Sequence, residues 1–382
     1  MSHFFLNLFI ASILIAPENS LVKAITFILC MITNIKKLRF SFERFSLVIV
    51  FFIILLFGIA TVYFRGINYD KYSIIMYLFN FCILSIFLID PNKIKIISGL
   101  NIAFVFIICS TFIYIFLVSS FPVLEPILLT VFDDVFMGLP EERGFLFWGR
   151  TTAFHLASPI LVFPLALTWY KYLINKGIRN ILYPFLLFLC LVFSGTRANS
   201  FSAILIVFII YLHYIFYIKK RMLQTVFYAI VAGCLALIGT YLLLINIDAS
   251  ITVKAGHLHS YNELFNSDIS YFLFGQGVGA YFFTAGFNKA VTLTELSYLE
   301  LIRMFGLFST IVMMFFYILP LLKYNRFNSP FIFALGIAYI SYLFIAGTNP
   351  LLIGRTGFIA LWLAYTLPKI KNNKYNVLKN FF

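Results

Sequence analysis

The sequence predicts an all-α polytopic integral membrane protein, and three observations carry that prediction. Of its 382 residues, 62% are hydrophobic and only 11% are charged, with a mean hydropathy of +1.00. A soluble domain of this length needs more charge to cover its surface. Apolar runs of the ~20 residues that cross a bilayer core recur from end to end. Lys and Arg gather on alternate connections between those runs, as topology in a membrane requires.

Taken in order, the runs are Phe4–Ala16, Leu21–Thr33, Phe45–Phe64, Tyr72–Ile89, Ile96–Val118, Thr151–Tyr170, Ile181–Phe193, Phe201–Ile218, Met222–Ile245, Leu296–Leu319, Pro330–Ala346 and Thr356–Leu367. They predict about twelve transmembrane helices, each satisfying its own backbone. The first two are short and also fit a re-entrant hairpin. MSHFFLNLF has no Lys or Arg ahead of its apolar run and no small-residue cleavage site after it, so a cleaved signal peptide is not expected. With no Pro/Gly/Ser linker and no internal repeat, residues 1–382 read as one integral membrane domain.

With the N-terminus in the cytoplasm, the inner connections hold 18 of the 28 Lys and Arg, among them Lys36, Lys37, Lys171, Lys176, Lys219, Lys220, Arg221 and Lys323. Of the 14 acids only Glu43 and Asp90 fall on that side. Both termini are therefore expected in the cytoplasm. The net charge of +14 follows from topology and contact with anionic lipid, without nucleic acid. The five cysteines (Cys30, Cys82, Cys109, Cys190, Cys234) all lie in apolar runs with no CxxC pair, so they read as packing residues.

The outer connections are about 119–150 and 246–295, the latter a large loop before the tenth span. The first carries Asp133, Asp134, Glu141, Glu142, Arg143 and Arg150. Between spans lie the tight loop SGTRANS (Ser194–Ser200) and GTNPLLIGRTG (Gly347–Gly357). Chemistry on this side has no access to ATP or nucleotide sugars. It needs a donor that arrives activated, such as a lipid-linked pyrophosphate.

Arg197, in SGTRANS, offers a planar fork that matches phosphate oxygens; the plainer reading is an arginine snorkelling to headgroups. Glu295, at the start of LSYLELIRMFG, suits a general base toward a sugar hydroxyl. The plainer alternative is a helix-terminus acid with Thr292 or Thr294 as cap. Glu300 and Arg303, three apart, can pair on one helix face. GQGVG (Gly275, Gly277, Gly279) lacks the strand–helix context of a dinucleotide motif and reads as tightly turned backbone. His257 and His259 are poor evidence for metal, and no metal site is expected. His155, near Pro159 and Pro164, reads as a buried hydrogen-bonding or cavity-lining group.

Three of these segments resemble the O-antigen polymerase and ligase superfamily of bacterial inner-membrane proteins. FSGTRANSFSAILI (Phe193–Ile206) resembles its span–Ser/Gly–Arg–span junction. FGQGVGAYFF (Phe274–Phe283) resembles its Gly-x-Gly-x-Gly-aromatic element. Glu295–Ser309 resembles its last element, an acid or His, a Tyr-Leu pair and a Gly eleven residues on, here Gly306. The likeness spans roughly the C-terminal half. Ligases usually begin the last element with His and then Asn, Ser or Gln, whereas this chain has Glu295 and Leu296, which resembles the polymerase branch.

The resemblance implies a metal- and cofactor-independent glycosyltransferase on the periplasmic face of the inner membrane, joining undecaprenyl-pyrophosphate-linked repeat units for lipopolysaccharide. It implies Arg197 and Glu295 as catalytic residues, and Arg355, Arg303, Gly277 and Gly279 as substrate-binding. Implied partners are the lipid-linked units, membrane lipids, and the chain-length regulator and flippase of the same route, with no nucleic acid. Tyr281, Phe282 and Tyr298 are expected to anchor the interface. A ligase, or a non-enzymatic flippase for the same unit, remains the alternative; a flippase would usually show repeats. A capsule or enterobacterial-antigen polymerase is chemically close.

Overall fold

The computed structural model describes residues 2–16, 20–38, 41–89, 97–133, 135–137, 154–222, 226, 249–324 and 329–369. The helices are α1 (Ser2–Ile15), α2 (Ser20–Asn34), α3 (Phe42–Phe64), α4 (Lys71–Cys82), α5 (Ile97–Ser120), α6 (Glu125–Val131), α7 (Val162–Ile174), α8 (Ile178–Phe193), α9 (Arg197–His213), α10 (Ala249–Ser267), α11 (Ile269–Phe274), α12 (Ser297–Lys323), α13 (Pro330–Gly347) and α14 (Arg355–Thr366). A 3-10 stretch, Ile83–Leu88, continues α4, and a π turn, Tyr214–Ile218, continues α9. Two small antiparallel two-stranded sheets complete the described fold: β1 (Phe136–Met137) with β2 (Phe154–His155), and β3 (Phe282–Thr284) with β4 (Lys289–Val291).

This is an all-α membrane protein, and α3 shows why. Leu47, Phe51, Leu55 and Val62 are buried along one stripe, while Ile49, Ile53, Leu56 and Phe57 are exposed on the other. A helix apolar on its outward face too needs hydrocarbon rather than water around it. Its 23 residues span about 35 Å, more than the ~30 Å of a bilayer core. Among the described residues six helices are long and apolar enough to cross a membrane: Phe42–Phe64, Lys71–Leu88, Gly99–Ser120, Arg197–Ile218, Ser297–Lys323 and Pro330–Gly347. The core centres on Phe51 of α3, whose ring lies 6.2 Å from Phe81, 5.9 Å from Phe316 and 6.1 Å from Phe358.

The two ends of this bundle differ in charge. At one end Lys323 Nζ is 2.6 Å from Glu43 Oε2, and Arg44 donates to the carbonyls of Phe87 and Ile89. The basic pairs Lys36–Lys37 and Lys219–Lys220 follow α2 and α9 outward. At the other end lie α10, α11 and the β3–β4 pair.

Several expected boundaries move. Thr151–Tyr170 is not one helix. Phe154–His155 is a strand, and the α-helix starts only at Val162, behind a short 3-10 turn that carries Pro159. SGTRANS is a shorter loop than expected, because Arg197 is already the first residue of α9. The region 246–295 is not a plain loop: α10, α11 and the β3–β4 hairpin occupy most of it. The run Met222–Ile245, apart from residues 222 and 226, lies outside the described residues, as do Asp134, Glu141, Glu142, Arg143, Arg150 and Cys234.

Candidate functional site

The site is built where an extended strand of backbone crosses a broken helix. Within α12, Gly306 has φ 80° and ψ 164°, which interrupts the helix. The segment Gly275–Ala280 threads through this break. Gln276 N donates to Arg303 O at 2.5 Å, Val278 N to Gly58 O at 3.0 Å, Asp70 N to Gly279 O at 2.9 Å and Tyr281 N to Asn68 O at 3.0 Å. Gly58 lies six residues from the end of α3, so the segment dips about 9 Å along it. Non-helical backbone beside a membrane core is tolerated when buried in protein with its polar groups satisfied, as here. Gly275 and Gly277 have φ of 83° and 108°, and a Cβ on Gly277 would lie 2.6 Å from Val62 N. Only glycine permits that approach. Gly277 and Gly279, expected as substrate-binding, thus pack against α3 and the start of α4, and neither is in the lining of the cavity described below.

Behind the crossing sits a buried charged set. Arg303 is fully buried and pairs with Glu300. Its Nε reaches both Glu300 oxygens at 3.1 and 3.2 Å, Nη1 donates to Gln276 Oε1 and Ala280 O at 3.0 Å each, and Nη2 donates to Thr292 O at 2.8 Å and to Glu300. Every guanidinium N–H is therefore occupied by protein, so Arg303 secures this wall and presents no free donor to an anion. Glu300 also accepts from Thr294 Oγ1 at 3.2 Å and from the Tyr261 hydroxyl, which lies 2.6 Å from Thr294 Oγ1. Removing one partner from such a set leaves a buried charge unmatched, which costs about 3–5 kcal/mol. Phe282 stacks on Tyr261 at 4.9 Å and lies 5.4 Å under Arg303, so it is core and not the interface anchor expected of it. Tyr281 and Tyr298 are exposed.

In front of this wall opens a cavity of about 580 Å³. One side is α4: Tyr72, Ser73, Met76, Tyr77 and Asn80. Another is the stretch Thr292–Glu295 with Phe287 from the hairpin turn. A third runs from Asn349 through Arg355 to Thr356, and Leu156 and Thr196 close the rim. Arg355, the first residue of α14, is 6% exposed; its Nε donates to Asn80 Oδ1 at 3.1 Å and its Nη2 lies 3.8 Å from Met76 Sδ. Glu295 is partly exposed, and its carboxylate makes no hydrogen bond among the described residues. The expectation that Thr292 or Thr294 caps a helix at Glu295 does not hold. The helix begins at Ser297 with Leu296 as N-cap, Thr294 faces Glu300, and the first-turn acid is Glu300.

The structure therefore brings Glu295 and Arg355 into one cavity and places Thr196, the neighbour of Arg197, on its rim; Arg197 itself is not in the lining. The sequence reading missed the α4 wall. Its signal was present: Ser73, Tyr77 and Asn80 recur at helical spacing on one face of an apolar run, and polar residues inside a span usually line a cavity.

The histidines do other work. His257 is buried, 2.5 Å through Nδ1 from Thr284 Oγ1, while His259 is exposed on the far face, 3.5 Å from Glu263. Burial lowers the His257 imidazole below its ordinary value, opposed by Glu295 and Glu300. His155 is buried and accepts from Ala157 N at 3.1 Å; burial lowers it to about 3. Among the described residues no group of three or more His, Cys, Asp or Glu is placed to hold a metal ion.

No protein-family model matches this chain, and neither a curated protein nor a solved structure is significantly similar to it.

Proposed function

We propose that the chain is a bacterial inner-membrane polymerase of O-antigen repeat units. In this reading about twelve spans place both termini in the cytoplasm, and the basic end of the bundle is the cytoplasmic one. The cavity then opens toward the periplasm. What supports the reading is one observation: Glu295, Arg355 and Thr196, from three separate polar segments of the C-terminal half, meet in a single cavity at the non-basic end.

The chemistry follows from those groups. The donor is a glycan on undecaprenyl pyrophosphate, and the acceptor is a hydroxyl of a second lipid-linked unit. Glu295 takes the hydroxyl proton as the acceptor oxygen bonds to the donor's anomeric carbon. The bond from that carbon to the pyrophosphate oxygen breaks, and polyprenyl pyrophosphate leaves with the electron pair. Arg355, held by Asn80, offsets the charge that grows on the leaving group, and Arg197, next in the chain to the cavity-lining Thr196, adds to it. Arg303 acts behind the wall.

The test is the glycan of a deletion strain. A lipid A–core carrying a single repeat unit is expected. A bare core would replace this reading with a ligase or a flippase.

A further inference from the structure

We infer that Tyr261, Glu300 and Arg303 form a positioning device that holds Glu295 at the cavity, and that α10 is coupled to the site through Tyr261. The inference rests on the reading of Glu295 as the working carboxylate, but its geometry stands without it.

Glu295 is pinned through the residues on both sides of it. Three residues before it, Arg303 Nη2 holds Thr292 O at 2.8 Å. Immediately before it, Thr294 Oγ1 is shared between Tyr261 Oη at 2.6 Å and Glu300 Oε2 at 3.2 Å. Two residues after it, Ser297 Oγ donates to Asn349 O at 2.5 Å, joining the helix start to the opposite wall. The side chain between these anchors makes no hydrogen bond among the described residues, so the hydrogen bonds that hold its position are those of its neighbours. Such indirect fixing is how a reactive group is held in place while its own lone pairs stay open.

Glu300 and Arg303 lie on α12, in its first two turns, but Tyr261 comes from α10, more than thirty residues upstream of Glu295. Its hydroxyl donates to Glu300 while in contact with Thr294. The helix of the long polar insert therefore reaches the Thr294–Glu295 stretch through the Tyr261 hydroxyl, beside the ring contact of its His257 with Phe287. This makes Tyr261 and Glu300 positioning residues, since neither lines the cavity.

The experiment reads position and not turnover. In a cysteine-free background, the full chain in lipid nanodiscs carries Glu295→Cys, and the rate of labelling by a polar maleimide is measured. Tyr261→Phe is expected to raise that rate about fivefold or more, because loosening a local segment exposes it. The same probe at Tyr72→Cys, on the α4 wall, is expected to label at an unchanged rate. An unchanged rate at Glu295→Cys overturns the inference, and so does an equal rise at both positions, which is what general loosening gives. Should Tyr261→Phe fail to insert, Thr294→Val removes the shared hydroxyl while leaving the Glu300–Arg303 pair in place, and carries the same expectation. If the labelling responds but Glu295→Gln leaves polymer unchanged, the positioning stands and the polymerase reading falls.

Discussion

Gly306→Ala adds one methyl group at the point where the extended segment crosses the broken helix. At φ 80° and ψ 164° the backbone is in a region that only glycine populates freely. Holding another residue there costs about 1–3 kcal/mol. A Cβ would also lie 2.3 Å from Leu273 O and 2.6 Å from the Phe274 backbone. Those are main-chain atoms, so relief requires the two segments to part, at about 1–3 kcal/mol for an overpacked site. Together the substitution removes about 2–6 kcal/mol of stability. At about 2 °C per kcal/mol for a chain of this size, the thermal midpoint in detergent falls by about 4–12 °C. Gly58→Ala serves as the comparison. Its Cβ would meet the side chains of Val278 at 2.8 Å and Phe305 at 2.9 Å, with no positive φ, so only the packing cost applies and the fall is smaller. A midpoint for Gly306→Ala within about 1 °C of the unaltered protein would refute the account of the crossing.

Glu295→Gln is expected to lose at least about a hundredfold in polymer, and Glu295→Asp to keep part of it, read as a glycan ladder on a gel. Equal ladders from the two would leave Glu295 no role as a base. Arg197→Ala and Arg355→Ala are each expected to abolish long chains with insertion unchanged, and Arg355→Lys to recover little, because lysine lacks the planar fork; normal ladders would remove those assignments. Stability should depend on pH through two histidines that burial keeps neutral, His155 at about 3 and His257 below its ordinary value. Because the unfolded chain binds these protons more readily, stability is full above the unfolded value of about 6.5 and is lost as pH falls below it. The thermal midpoint is expected to be flat from about pH 7 to 8 and to fall from about pH 6.5 downward, with a shallower slope in His155→Asn. A slope unaltered by that substitution would count against His155 as a source.

The membrane nature of the chain was legible because transfer of apolar side chains is a local quantity. The run Phe45–Phe64 became Phe42–Phe64, Leu296–Leu319 became Ser297–Lys323, and Pro330–Ala346 became Pro330–Gly347. Spacing also sufficed for Glu300 and Arg303, since residues three apart on a helix must meet. Thr151–Tyr170 misled because composition carries no record of where a helix starts, and the strand at Phe154–His155 depends on a partner at Phe136–Met137. The insert looked like loop because α10 is a helix of mixed polarity, with no apolar face to announce it.

What the sequence determined by itself was an all-α chain for a bilayer, its polar segments, and a short set of residues able to do chemistry. Only the tertiary structure decided which of them share a cavity. Glu295 and Arg355 do, Arg303 stands behind the wall with every donor occupied, and Asn80 joins them from a helix that reads as plain span. The glycines of GQGVG belong to the crossing of two backbones. Helix formation and membrane insertion are set by neighbours along the chain, whereas the pairing of buried polar groups is set by neighbours across it, where sequence separation carries no distance.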